Sequence, residues 1–477
     1  MNIERFRTEH DCIGDVQVLS DKYYGAQTVR AMENFMITGQ PVCPEMIHNL
    51  VLIKKSAAIV NMDTGKLSAR IAQAVIDACD EVLEGQWNDQ FVTDAIQGGA
   101  GTSTNMNVNE VLANRAIELL QCQKGEYHVV NPLDHVNSGQ STNDVYPSAG
   151  KMTLVQLIKG LEETLWHLRE ALLERSDAFG HIIKLGRTQL QDAVPIRLGQ
   201  EFRAYAATIK RDLGRLQLSR NNLYALNLGG TAIGTGLNTD KNISRMIVQQ
   251  VAAFSGEAYH QADDLIDSTQ NLDCYTDLSG VLKILAVNLS KMSNDLRLMS
   301  SGPVGGINEI TLPARQNGST IMPGKINPVI PEVVNQIAFN VIGNDTTVTL
   351  AAEAGQLELN AFEPIIFHKL FESLKTLARG AYSLAEYCVK GIVANEARCN
   401  EFVMHSTSLV TVLAPVIGYE RASELSREAR RAGQSIYDLA LQKGLFTEQE
   451  LKARLDIHTM TETVELQNTG AAAPPQK

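Results

Sequence analysis

The sequence predicts a mainly α protein of three domains organised around a central bundle of long helices. Two observations carry that reading. Apolar residues recur at alternating steps of three and four along several long stretches, which suits near-parallel helix packing. Those stretches are separated by short breaks rich in Gly, Pro, Ser, Thr and Asn, residues that stop helices and form turns. The chain has 477 residues, a length that suggests about three domains of ~150 residues. The expected divisions are a mostly helical, mixed N-terminal domain over 1–140, a long-helix bundle over 141–395, and a small helical domain over 396–466. The tail 467–477 is small and polar, a composition that predicts disorder.

Taken in order, residues 1 to about 50 mix turn and short-element signals around Asp21–Thr28. Helical periodicity runs over about 51–84. A glycine-rich break, Gln97–Asn105, leads into a helix with Val108, Val111, Leu112, Leu119 and Leu120 on one face. The central stripes follow. One is Leu154, Ile158, Leu161, Leu165, Leu168 and Leu172; another is Leu198, Phe202, Tyr205 and Ile209. A third is Leu278, Leu282, Leu285, Leu289, Met292, Leu296 and Met299, and a fourth is Phe367, Leu370, Leu374, Leu377, Ala381 and Leu384. They read as core or subunit interface. Beyond about 395 the helices shorten, and Thr447 and Glu450 have the spacing of a capping box.

Composition narrows the function. Hydrophobic residues make up 44% and charged residues 20%, with a net charge of -12. That balance offers no basic surface for a nucleic-acid backbone. No window approaches 18 uninterrupted apolar residues, so no membrane span is expected. The seven cysteines are scattered and lack metal-ligand spacing. With no apolar leader at the N-terminus, these features point to a reducing, cytoplasmic location.

Four breaks concentrate hydroxyls and amides. Gly101-Thr102-Ser103-Thr104-Asn105 and Asn137-Ser138-Gly139-Gln140-Ser141-Thr142-Asn143-Asp144 each precede a helix. Helix-start N–H groups with neighbouring hydroxyls make an anion site; plain capping is the alternative reading of both. Gly186–Pro195 places polar residues between two long helices, where an inter-helix connection is the alternative. The fourth break, Gly318–Glu332, holds Ser319, Lys325 and Asn327 among glycines and prolines. Pro331 suits the first turn of the helix that follows. An ordered connector is its alternative.

Gly-Ser-Thr-Ile-Met-Pro-Gly-Lys-Ile-Asn-Pro resembles the signature loop of the fumarase/aspartase superfamily. Gly-Gly-Ala-Gly-Thr-Ser, Ser-Thr-Asn-Asp and Gly-Arg-Thr-Gln-Leu-Gln-Asp-Ala resemble its other conserved regions, in the family's order, and the likeness spans about 10–460. Gly343–Thr349 and Ala352–Asn360 look like the aspartase branch. The resemblance implies the three-domain lyase fold, with its central bundle completed by tetramerisation. It implies elimination of ammonia from L-aspartate to give fumarate, through an enediolate formed when Ser319 takes the Cβ proton. It implies that Thr102, Ser141, Thr142 and Thr188 surround the carboxylate that gains charge, and that Lys325 and Asn327 bind the other. Asn143, with Gln189 nearby, would contact the amino group. A serine alkoxide needs N–H donors and a nearby cation such as Lys325. The resemblance requires no cofactor for the chemistry, allows activation by a divalent cation such as Mg2+, and implies active sites shared between subunits of a homotetramer.

The fumarase branch typically has His where this chain has Gln189, and an amide cannot relay a proton. Fumarate hydratase is therefore the runner-up. A lyase for a larger N-succinyl substrate and a crystallin-like structural protein are the further alternatives.

Overall fold

A computed structural model describes residues 5–462; the tail expected to be disordered lies outside them. The chain opens with strands β1 (Phe6–Asp11) and β2 (Gly14–Leu19), an antiparallel hairpin in register from Phe6 opposite Leu19 to Asp11 opposite Gly14. Helices α1 (Ala26–Asn34), α2 (Pro44–Asp63), α3 (Ala69–Leu83) and α4 (Thr102–Leu119) follow. Next come α5 (Thr142–Ala178), strands β3 (Ile183–Thr188) and β4 (Gln191–Arg197), α6 (Leu198–Asn221) and α7 (Lys241–Ser255). The remaining long helices are α8 (Asp273–Met299), α9 (Val329–Glu353) and α10 (Glu363–Tyr387). The shorter helices that follow include α11 (Glu396–His405), α12 (Tyr419–Ala432), α13 (Ile436–Gln442) and α14 (Glu448–Arg454). No helix among the described residues is long and apolar enough to cross a membrane.

The residues pack as two compact units. One holds the chain up to Trp166 with Ile209–Ser290 and Val333–Tyr382; the other holds His167–Thr208, Lys291–Glu332 and the chain from Ser383. The divisions fall inside α5, α6, α8, α9 and α10.

In the first unit the apolar stripes form the core. Leu154, Ile158, Leu161 and Leu165 of α5, Leu278, Leu282, Leu285 and Leu289 of α8, and Phe367, Leu370, Leu374 and Leu377 of α10 are each at most 1% exposed. Burying each such side chain contributes ~1.5–3 kcal/mol, which outweighs the weak propensity differences along these helices. The periodicity over 51–84 resolves into two helices, α2 and α3, broken near Gly65, whose φ is +74°. At one end of the core, Phe367 meets Tyr146 and Tyr275 with ring centroids 5.6 and 5.1 Å apart, and stacks on Phe371 at 5.7 Å. Gly150 lies against this cluster; a Cβ there would stand 2.1 Å from the Phe367 ring.

In the second unit the segment 186–195 belongs to the β3–β4 hairpin, not to a plain inter-helix connection. Its register shifts at Gly186, where a Cβ would stand 2.6 Å from the Val194 carbonyl oxygen. A separate cluster of Leu413, Leu425, Ala429, Ile436, Leu439 and Leu451 holds α12, α13 and α14. The Thr447–Glu450 capping box is formed: Glu450 N–H donates to Thr447 Oγ1 at 3.2 Å and Thr447 N–H to Glu450 Oε2 at 2.8 Å.

Gly150→Ala is expected to destabilise the protein by about 1–3 kcal/mol, because the added methyl overpacks a core of rigid rings. Gly160→Ala on the same helix, with open space around its Cβ position, is expected to be neutral or stabilising by up to ~1 kcal/mol. Denaturant midpoints of the two variants check the contrast.

Candidate active site

The first unit brings the starts of α4 and α5 together. Thr102 is the first residue of α4 and is exposed. The turn before it needs glycine at 101, with φ +89° and the Tyr146 ring 2.5 Å from where a Cβ would stand. Thr142 opens α5, and Asn105 Nδ2 in the first turn of α4 donates to Thr142 Oγ1 at 3.0 Å. Two helix N-termini therefore lie within one side chain of each other, and their dipoles favour an anion; several of their N–H groups are already taken, Thr104 by Gln97 Oε1 at 3.0 Å and Asn143 by Ser141 Oγ at 3.2 Å.

The start of α5 is held from several sides. Asp144, fully buried, accepts from the N–H groups of Ser141 at 3.1 Å, Gly229 at 3.2 Å and Thr231 at 3.0 Å. Burial pushes its carboxyl up to about 6 against the pull of those donors. Pro147 lacks the N–H that would bond the carbonyl of Asn143. Asn227 Nδ2 takes that carbonyl instead, at 2.8 Å. Asn143 Nδ2 donates to the Ala232 carbonyl at 2.7 Å, so its Oδ1 is the atom left to accept from a ligand. Ser141 Oγ accepts from the Asn143 N–H at 3.2 Å, which leaves its hydroxyl hydrogen to donate. Beneath this surface, Lys54 of α2 donates to Asn137 Oδ1 at 2.7 Å. Burial pushes its ammonium down to about 7 while Asp144 pulls it up.

The second unit carries the remaining candidates. Thr188 ends β3 and pairs with Gln191 across a two-residue turn. Gln189 and Leu190 form that turn with φ of 54° and 60°. Both central residues are left-handed, the pattern of a type I′ hairpin, and such strain in non-glycine residues marks functional sites. The hairpin is anchored by a buried ion cluster. Glu309, 0% exposed, accepts from Arg187 Nη1 at 2.8 Å and lies 2.9 Å from Lys184 Nζ, which also reaches Glu201 at 2.8 Å. Burial alone would depress the Lys184 ammonium, but the two carboxylates outweigh it and raise it.

The loop from Gly318 closes on itself. Gly318 N–H donates to the Lys325 carbonyl at 2.8 Å, and Asn327 Nδ2 donates to the Gly318 carbonyl at 2.7 Å. A Cβ at 318 would stand 2.5 Å from that Lys325 oxygen, so glycine is required at this neck. Ser319 Oγ accepts from the N–H groups of Ile321 at 3.2 Å and Met322 at 2.9 Å. Lys325 is exposed and, among the described residues, bonds no side chain. Lys325, Asn327 and Glu332 line a cavity of about 680 Å³. Ile321 is 84% exposed, unusual for a side chain so apolar.

Thr102, Ser141, Thr142 and Asn143 thus gather in one unit, and Thr188, Gln189, Ser319, Lys325 and Asn327 belong to the other. Among the described residues no group of three or more His, Cys, Asp or Glu side chains is placed to hold a metal ion. Sequence reasoning missed the supporting residues. Asn105, Asn137, Asp144 and Arg187 lay inside quoted segments, but Lys54, Asn227 and Glu309 carried no local signal.

This fold, with hydroxyls at helix starts and a serine-bearing glycine loop, defines a class. The chain belongs to the lyase family, whose model matches residues 14–343, with a fumarase C C-terminus over 409–462. It is similar to the aspartate ammonia-lyase of a Bacillus species, at 50% identity over 95% of this chain and 97% of that one. The aspartate ammonia-lyase of Helicobacter pylori, strain 26695, is 50% identical over 93% of this chain and 96% of its own length. Among solved structures, a fumarate lyase:delta crystallin from Brucella melitensis bound to cobalt superposes with a TM-score of 0.93 at 44% identity, covering 96% of this chain and all of the other.

Glu309→Gln is expected to take the carboxylate from Arg187 and one of two from Lys184, which keeps Glu201, at a cost of about 3 kcal/mol. Amides of 183–197 should then exchange about a hundredfold faster, while those of α10 residues 363–377 stay unchanged. Hydrogen exchange read by mass spectrometry checks this.

Proposed function

We propose that the chain is an enzyme that reversibly eliminates ammonia from L-aspartate to give fumarate, a carbon–nitrogen lyase acting on a dicarboxylate in the cytoplasm. Near-full-length identity of 50% to aspartate ammonia-lyases carries this reading. Gln189 favours it over hydration of fumarate, since an amide does not relay a proton to or from water.

In the proposed mechanism Ser319 Oγ removes the proton from Cβ. That C–H is weakly acidic, and the electron pair it leaves puts a second negative charge on the adjacent carboxylate. Thr102, Ser141, Thr142 and Thr188 stabilise that charge where it develops. The two N–H donors at Ser319 Oγ support a serine able to carry negative charge before it takes the proton. Lys325 holds the other carboxylate as a point charge, with Asn327 as amide donor. The free Oδ1 of Asn143 accepts from the amino group, with Gln189 close by, and the C–N bond then breaks as the enediolate collapses. Closure of the Gly318–Pro328 loop excludes water and places the base. Side chains and backbone donors carry these steps; activation by a divalent cation such as Mg2+ would act outside them.

The enzyme works as a homotetramer with sites shared between subunits. Support comes from α9, which presents Phe339, Ile342 and Leu350 at 64%, 36% and 63% exposure on one face. An apolar stripe of that kind needs cover.

Fumarate release, followed by absorbance with aspartate, malate and argininosuccinate offered separately, tests the activity. Only aspartate is expected to react; preferential turnover of malate or argininosuccinate would sink the assignment. In the same assay Ser319→Ala is expected to lower kcat by at least ~10³ with substrate binding retained. A variant keeping a tenth of the wild-type rate would remove Ser319 as the base. The shared site is tested by refolding a 1:1 mixture of Asn143→Ala and Ser319→Ala chains. If the two residues of one site come from different subunits, about one quarter of sites regain both. No recovery, beside a wild-type control that refolds, would place them on one chain.

A further inference from the structure

Lys54 is 0% exposed, and its hydrogen bond goes to Asn137 Oδ1 at 2.7 Å. The same oxygen accepts from Asn105 Nδ2 and Asn109 Nδ2, each at 3.2 Å. Asn105 Nδ2 also donates to Thr142 Oγ1 at 3.0 Å. We infer that Lys54 is a positioning residue for the reaction: through Asn137 and Asn105 it sets the direction of the hydrogen bonds so that Thr142 accepts inward and keeps its own hydroxyl hydrogen for the substrate carboxylate. This rests on the reading of Thr142 as a ligand of that carboxylate.

The argument is one of donor and acceptor inventory. An ammonium group has donors and no acceptor. It therefore requires the oxygen of Asn137 to face it, and the Asn137 amide nitrogen turns to the Gln140 carbonyl at 3.0 Å. An oxygen so placed draws the amide nitrogens of Asn105 and Asn109. With its nitrogen committed, Asn105 can only donate to Thr142. A threonine hydroxyl whose lone pair is taken in this way directs its hydrogen elsewhere, toward the opening between the starts of α4 and α5.

The direction has a visible cost. Among the described residues, the carbonyl oxygens Asn105 Oδ1 and Asn109 Oδ1 are buried and accept from no protein donor, and a buried acceptor left so costs ~1–3 kcal/mol. Turning the Asn105 amide would give its oxygen the Thr142 hydroxyl as donor, but would set oxygen against oxygen at Asn137. Two orphaned acceptors around one oxygen are what a donor-only group at position 54 enforces. Burial pushes the Lys54 ammonium down to about 7 while buried Asp144 pulls it up, and its nitrogen stands 2.7 Å from Asn137 Oδ1, to which it donates. A lysine serving only to fill the core would leave the amides free to choose the better-satisfied arrangement.

The test is a double-mutant cycle on the full-length enzyme with Lys54→Met and Thr142→Val, read as kcat/KM for aspartate and as Tm. Each single change is expected to lower kcat/KM at least tenfold, through kcat more than KM, because the charge develops in the transition state. The double variant should fall no further than the worse single, and the Tm shifts should be non-additive. Multiplying factors in kcat/KM, or additive Tm shifts, would overturn the inference. Should Lys54→Met fail to fold, Asn105→Ala replaces it in the cycle and the same criteria apply. A wild-type enzyme that releases no fumarate from aspartate would defeat the functional reading instead, and the Tm cycle would still decide the hydrogen-bond direction.

Discussion

Two helix N-termini repel. Each carries roughly half a positive charge in unpaired N–H groups, and in the first unit the starts of α4 and α5 lie within one asparagine side chain of each other. The anion site depends on holding them there without a ligand. Asp144 supplies a buried negative charge at the start of α5, and it also gathers the Gly229 and Thr231 amides. Asn137 supplies an oxygen on which donors from α2 and α4 converge. The inward-facing potential is thereby balanced, and in the proposed mechanism Thr102, Ser141 and Thr142 donate outward. A carboxylate bound there as proposed would meet groups already oriented, with little reorganisation left for the reaction itself.

The second unit solves a different problem, the placement of groups that must move or be strained. The tip of the β3–β4 hairpin holds Gln189 and Leu190 in left-handed backbone, which costs on the order of 1–3 kcal/mol per residue. The Arg187–Glu309–Lys184 cluster at the base of the hairpin offers the rigidity against which that strain is kept. The Gly318 loop has the opposite character. Its neck is fixed by two hydrogen bonds, but Ile321, Met322, Lys325 and Ile326 are exposed. Such a segment is tied at its ends and exposed at its crown, which suits a part that closes over substrate.

The four polar breaks were legible as candidate sites because each puts hydroxyls and amides at the start of a helix or in a turn. Their supports were not legible. Lys54 sits beside Lys55 in an apolar helix, and nothing in spacing says which of the two turns inward. Glu309 reaches Arg187 across 122 positions of sequence. The hairpin over 183–197 was also hidden: its turn residues are Gln and Leu, not the Asn-Gly pair that signals a two-residue turn, and Pro195 interrupts the second strand. Register and tertiary contact decided that element against its local composition.

The sequence by itself determined the helical architecture, because three-four periodicity dictates which faces must be buried. It determined the positions of the candidate chemistry too, since Gly, Pro and hydroxyl-rich breaks are local features. It also made the family recognisable through the order of those breaks. Only the tertiary structure decided the state of each functional group: which way the Asn143 and Asn105 amides point, which donors reach Ser319 Oγ, and how burial moves Lys54 and Asp144 toward each other in proton affinity. Those properties arise from desolvation and from partners remote in sequence, and neither is encoded in any short stretch of residues.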